Sequence, residues 1–236
     1  MKIQSKFIAV LLVFTPATAI FAQNIGNIQS LNVAQLSANG SVEVQQDLLS
    51  ISLNTMREAV DASTVQSQLK TALDAALTEA KKTAQAGQLD VRTGNFSLYP
   101  RYGKDGKING WQGSTELVLE GRDFARISAA AGKIQTLTIA NVAFSLSREQ
   151  RTQSEGAAQS IAIERFKVKA ADIAKGFGFG SYSLREVSVS AADQGYNPRP
   201  QVMSMARAQM AEAAPVPVEA GKSTVVVTVN GSVQLK

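Results

Sequence analysis

Trp111-Gln112-Gly113-Ser114-Thr115-Glu116-Leu117-Val118-Leu119-Glu120 decides the fold class. Trp111, Thr115, Leu117 and Leu119 share one parity, while Gln112, Ser114, Glu116 and Glu120 share the other. Successive side chains of a strand point to opposite faces. The segment therefore reads as a strand with one apolar and one solvated face, the pattern of an antiparallel sheet. Just beyond it, Asp123 is a candidate N-cap for a helix whose stripe is Phe124, Ile127, Ala131 and Ile134. Just before it, Gly103, Asp105-Gly106 and Gly110 mark residues 100–110 as a loop.

Further upstream, residues 89–99 form a second strand, with Leu89 and Val91 on one parity, Phe96 and Leu98 on the other, and Gly94 between them as a bulge signal. A helix over 62–86 precedes it, capped by Asp61, striped by Val65, Leu69, Leu73, Ala76 and Ala80, and ended by Gly87. Residues 41–57 read as one long strand. Its buried parity changes between Val42/Val44 and Leu49/Ile51/Leu53, so Gln45-Gln46-Asp47 predicts a bulge or a change of buried face.

Downstream, residues 139–147 alternate as a strand through Val142, Phe144 and Leu146. Thr152-Gln153-Ser154-Glu155 has the form of a capping box opening a third helix, with Ala158, Ala162, Phe166, Ala170, Ile173 and Phe177 on its buried side. Gly176, Gly178 and Gly180 close it, residues 181–190 form a strand, and residues 222–235 form the clearest strand of the chain. There Val225, Val227, Val229, Val233 and Leu235 oppose Thr224, Thr228, Asn230, Ser232 and Gln234.

The order is β-α-β-β-α-β-α-β-β, an α+β chain of antiparallel sheets with helices on one face. The first six elements fit one ferredoxin-like unit. Two related halves, sub-lobes 39–137 and 138–236, fit equally well. Residues 23–38 read as a polar spacer, with a short strand near 32–36, and residues 194–221 as a long loop rich in Pro, Ala, Met and Gln.

Residues 1–22 have the layout of a cleaved export signal: Lys2 and Lys6, an apolar run from Phe7 to Phe14, Pro16, then small residues. Cleavage is expected after Ala22, with Ala17-Thr18-Ala19 as the alternative. The apolar run is shorter than the roughly 20 residues a spanning helix needs, so no integral membrane span is expected after processing. Removing the signal leaves 22 basic and 19 acidic residues, a net of +3, with no basic stripe interleaved with aromatics; nucleic acid is not an expected partner. The chain has no cysteine and no histidine. Disulfides, thiol nucleophiles, Ser-His-Asp triads and histidine-based zinc sites are excluded. Carboxylate, lysine or tyrosine chemistry remains, or binding; no metal and no cofactor are expected.

Four groups of residues carry candidate function. Tyr99, Arg101, Tyr102 and Trp111 cluster around one hairpin loop in the residue types enriched at binding surfaces. Met203, Met205 and Met210 offer an oxidisable or adaptable segment for assembly. Glu155, Glu164 and Asp172 are interspersed with Arg165, Lys167, Lys169 and Lys175, which favours a salt-bridged helix face over acid–base catalysis. Gly176-Phe177-Gly178-Phe179-Gly180 follows a helix rather than opening one, so it reads as a cap and turn rather than a nucleotide loop.

Taken in order, several stretches resemble the SIMPL-domain family of bacterial exported proteins across about residues 38–235. They are Gly40-Ser41-Val42-Glu43-Val44, the Ala-rich helix, Val91-Arg92-Thr93-Gly94-Asn95-Phe96-Ser97-Leu98-Tyr99-Pro100, Trp111-Gln112-Gly113, and Phe144-Ser145-Leu146-Ser147 before the long third helix. Position 111 is Trp where many relatives are expected to carry Tyr. The resemblance implies a periplasmic or cell-envelope protein linked with oxidative-stress defence and self-assembly, and supplies no catalytic residues. The expectation is a non-enzymatic, soluble periplasmic protein that forms a homo-oligomer. Two other functions stay open: a carbohydrate or small-ligand module of the envelope with its site near Trp111, and an enzyme using carboxylate or Tyr chemistry.

Overall fold

A computed structural model describes residues 31–192 and 217–236. The export signal expected over residues 1–22, and Met203, Met205 and Met210, lie outside the described residues. The elements are β1 (Val33–Gln45), β2 (Leu48–Ala59), α1 (Ala62–Lys81), β3 (Asp90–Tyr102), β4 (Ile108–Gly121), α2 (Phe124–Lys133), β5 (Thr138–Ser145), α3 (Arg148–Gly176), β6 (Tyr182–Ala192) and β7 (Lys222–Leu235).

The parity change at Gln45-Gln46-Asp47 is larger than a bulge. The single strand expected over 41–57 is two strands in two different sheets. β1 belongs to a three-stranded sheet of order β1-β7-β6, and β2 to a four-stranded sheet of order β3-β4-β2-β5. A strand that flips its buried parity can do so by turning to face a second core. Here Leu36 enters the core beneath α3, whereas Leu49, Ile51 and Leu53 enter the core beneath α1 and α2. The order gains one strand accordingly.

β2-α1-β3-β4-α2-β5 is the ferredoxin-like arrangement, with every neighbouring pair antiparallel. Residues 48–145 build this sheet, and β1, α3, β6 and β7 flank it in sequence. The two sheets therefore interleave rather than dividing the chain at 137/138. β1 begins at Val33, inside the stretch read as spacer, and pairs with β7 along its whole length.

Among the described residues, each sheet carries helices on one face only. Leu49, Ile51, Leu53, Leu117 and Leu119 are fully buried under α1 and α2, together with Ile127 of α2 itself. Val225, Val227, Val229, Val233 and Leu235 are all buried against α3, as the alternation of that strand predicts. β3 breaks register between Thr93 and Phe96, where Gly94 signals a bulge.

Local chemistry moved three boundaries. α1 stops at Lys81 instead of 86, with residues 82–89 turning back through a Gln85–Leu89 bridge. The β3–β4 loop shrinks from 100–110 to 103–107, because strand pairing continues through Pro100 and Tyr102. The third helix starts at Arg148, four residues before the expected Thr152 cap. Its N-cap is Ser147, whose Oγ accepts from the Gln150 N–H at 3.2 Å. Thr152 instead donates to the Arg148 carbonyl at 2.9 Å, as a threonine inside a helix does.

α3 buries Ser154, Ala158, Ala162, Phe166, Ala170 and Ala174, every fourth residue. The expected Ile173 is half-buried, and Phe177 is 74% exposed because it lies at the C-cap. The cap is a Schellman motif: Phe179 N–H donates to Ala174 O at 2.9 Å and Gly178 N–H to Lys175 O at 3.0 Å. Gly178 sits at φ +80, a conformation only glycine adopts readily, so the glycine run is a helix cap.

Candidate functional site

The tip of the β3–β4 hairpin separates the four residues that the sequence grouped there. Tyr99 pairs with Gln112, and Pro100 pairs with Trp111 and through it with Ala59. Cross-strand partners share a face and sequence neighbours do not. Tyr99 therefore stands on the helix-free face, 63% exposed, while Trp111 is half-buried on the helix-bearing face. Arg101 ion-pairs with Glu58 of β2 on the helix-free face. Tyr102 is 64% exposed and pairs with Ile108 just past a register shift. Tyr99 and Arg101 thus share a surface with Glu58, and Trp111 belongs to another.

A second polar surface was not legible in the sequence. On the helix-free face of the three-stranded sheet, Ser232 lies between Gln35 and Glu186, and Asn230 between Ser37 and Ser188. These six residues line an open groove of about 430 Å³. Sequence reading could place Asn230 and Ser232 on one parity, but not the strands on either side of them.

The third cluster lies where the chain passes between sheets. Gln46 is buried; its Nε2 donates to Ser223 Oγ at 3.0 Å and to Phe144 O at 3.3 Å. Asp47 accepts from Ser147 Oγ at 2.6 Å and from Ser147 N–H at 2.7 Å. Arg122 pairs with Asp47 at 3.7 Å and also with Glu149. This cluster fastens both sheets and the start of α3 with groups already paired to one another, so it is structural glue.

Three groups are held in their charged forms by local hydrogen bonds. The Arg126 backbone N–H, then its side chain, holds the Asp123 carboxyl below its ordinary 3.8. Hydrogen bonding to Glu164 raises Lys167, and hydrogen bonding to Glu43 raises Lys222. All three shifts favour the form that is already charged at neutral pH. Lys167–Glu164 is also the salt-bridged α3 face expected from the sequence, at 2.8 Å. Among the described residues no three acidic side chains converge as a metal site would require. Also among them, no helix is long and apolar enough to cross a membrane.

No curated protein sequence matches the chain. Similar solved structures include the crystal structure of AtUAH in complex with glyoxylate, at 15% identity and a TM-score of 0.25, covering 56% of this chain and 34% of that one. The AtUAH complex with (S)-hydroxyglycine gives 15% identity and a TM-score of 0.25, covering 55% and 34%. The chain therefore spans about a third of those chains, and a likeness at that TM-score carries no weight for fold or activity. A family model described as SIMPL, Protein of unknown function (DUF541), matches residues 34–233, from the second residue of β1 to near the end of β7. The chain belongs to the SIMPL family.

Proposed function

We propose that this SIMPL chain is a non-enzymatic protein of the periplasm, exported through residues 1–22, that acts by self-association and binding in envelope and oxidative-stress protection. The observation that carries the reading is β6, which is exposed from Leu184 to Ala191 with an apolar stripe at a sheet edge. Sheet edges of that kind pair with other chains. A sequence without histidine or cysteine, in which the shifted groups are all held charged, adds support against a catalytic role. Light scattering on a sizing column tests the reading with the chain lacking residues 1–22. The expected result is a discrete oligomer; a monomer at every concentration, in a strain whose stress survival does not depend on the protein, would sink it.

A second reading is a binding module for an envelope saccharide or small ligand. Tyr99 and Arg101 on one open face favour it, since exposed aromatic and guanidinium groups are suited to ligand contact. Thermal-shift screening with soluble peptidoglycan fragments separates the two readings. A saturable shift, lost in Tyr99→Ala, selects the module.

A further inference from the structure

Two sheets have four edges, and three of them are guarded. On β1, Arg165 Nη1 donates to Asn39 O at 2.9 Å and Lys169 Nζ donates to Ser37 O at 3.0 Å, so α3 occupies acceptors that a new strand would need. β3 is broken by its bulge and carries Pro100, which has no N–H to offer. β5 is only 8 residues long and shifts register against β2. These are ordinary protections against edge pairing. β6 is 11 residues long, has no strand on its outer side among the described residues, and leaves Leu184, Val187 and Val189 exposed by 59%, 45% and 45%.

β6 has its own irregularity, a register shift against β7 between Leu184 and Glu186. A bulge bearing Arg185 and Glu186 is by itself a plausible guard. Its charges are opposite, however, and neither has an ion-pair partner among the described residues. The shift also sets which faces are available. Tyr182, Leu184, Val187 and Val189 oppose Leu235, Val233, Gly231 and Val229 of β7 and so lie on the α3 side. Ser183 and Ser188 oppose Gln234 and Asn230 and lie on the other side.

We propose that β6 is where two copies of this chain pair, antiparallel, about a two-fold axis between Arg185 and Glu186. The proposal rests on the self-association reading and names its surface. In this register Leu184 meets Val187, Tyr182 meets Val189, Ser183 meets Ser188 and Arg185 meets Glu186 of the second copy. Every apolar pair falls on the α3 side and the serine pair on the other, as cross-strand pairing requires. A strand without the bulge would set Leu184 and Val187 on opposite faces, and this register would fail. The occupant that fits is therefore the strand itself: it supplies the complementary charge, the apolar partner and the matching faces, and it joins two three-stranded sheets into one.

A chain without cysteine permits a direct test. Directly opposed strand residues lie about 4.5–5.5 Å apart at Cα, within the reach of a disulfide. Ser183 and Ser188 of one copy are five residues apart along an extended strand, about 16 Å, and cannot bridge. The full chain carrying both Ser183→Cys and Ser188→Cys is oxidised and run on a non-reducing gel, with each single variant as control. The expected result is a covalent dimer from the double variant only. Separately, Glu186→Arg should weaken association about tenfold by opposing like charges, and Arg185→Glu with Glu186→Arg should restore it, with circular dichroism unchanged in both. An oligomer in solution that neither cross-links nor responds to charge reversal overturns the β6 assignment and leaves self-association standing. A wild-type chain that is monomeric by light scattering overturns both.

Discussion

Gly40 should be irreplaceable, and the reason is a distance. A Cβ at this position would sit 2.0 Å from the Ala158 carbonyl oxygen and 2.6 Å from the Ala162 backbone nitrogen, where ordinary contact begins at 3.4 Å. Both obstacles are helix backbone, so no side chain can swing aside; α3 would have to lift by roughly 1.4 Å, the gap between 2.0 and 3.4 Å. Lifting it opens the core of Leu36, Ala162, Phe166, Val229 and Val233. Overpacking costs about 1–3 kcal/mol, and a backbone obstacle belongs at the upper end. Alanine recovers about 0.4–1 kcal/mol by restricting the unfolded chain. Gly40→Ala should therefore lose about 2–3 kcal/mol. At roughly 2–4 °C per kcal/mol for a domain of this size, its Tm should fall by roughly 5–10 °C. Urea unfolding followed by circular dichroism measures the loss directly. A midpoint within about 0.5 kcal/mol of wild type would refute the claim that α3 rests on the β1 backbone.

Gly156 is the opposite case: it sits inside α3 with nothing within 4 Å of an added Cβ, so Gly156→Ala should stabilise by about 1 kcal/mol through helix propensity, read by the same urea titration. Thr115 buries a hydroxyl with no hydrogen-bond partner, so Thr115→Val, nearly the same in shape, should raise stability by about 1 kcal/mol; a loss would reveal a partner for that hydroxyl. Asp47→Ala should cost about 2 kcal/mol, because it removes two short bonds to Ser147 and leaves Arg122 with one partner fewer. Asp123 has a lowered folded pKa, so its cap stabilises fully above 3.8 and loses that effect as pH falls through the folded value. Asp123→Ala should therefore be less stable than wild type at pH 7 and converge with it in strong acid, a difference that urea midpoints from pH 7 to 2 would expose.

Much of the architecture was legible because it rests on period and on caps. The alternation of β4 and β7, the Asp123 cap, and the glycine cap after α3 all follow from one short segment each. The sheet switch was half legible: the parity flip at Gln45-Gln46-Asp47 was visible, but a flip in one strand and a move to another core leave the same local pattern. Gln46 and Asp47 settle the choice through Phe144, Ser147 and Ser223, residues distant in sequence. The Ser147 cap is not legible locally because two Ser/Thr-x-x-Gln/Glu patterns lie five residues apart, and the bond Ser147 donates to Asp47 selects the first. The hairpin cluster failed to converge for a simpler reason: adjacent pairing positions, Tyr99 with Gln112 and Pro100 with Trp111, alternate faces whatever their chemistry. No local pattern could reveal that β6 is an edge, because that depends on β7 pairing with both β1 and β6.

The placement of β7 also has a consequence for synthesis. Residues 48–145 contain all four strands of the ferredoxin-like sheet and both of its helices, so that unit can assemble while the rest of the chain is still being made. The other sheet cannot. Val33 pairs with Gln234 and Tyr182 with Leu235, so β1 and β6 have no common partner until β7 is available. Contacts of such sequence separation close slowly. During that interval α3 has no sheet to cover, and the alanine stripe that later seats on Gly40 faces water. β1 and β6 therefore enter one sheet only once β7 is in place between them.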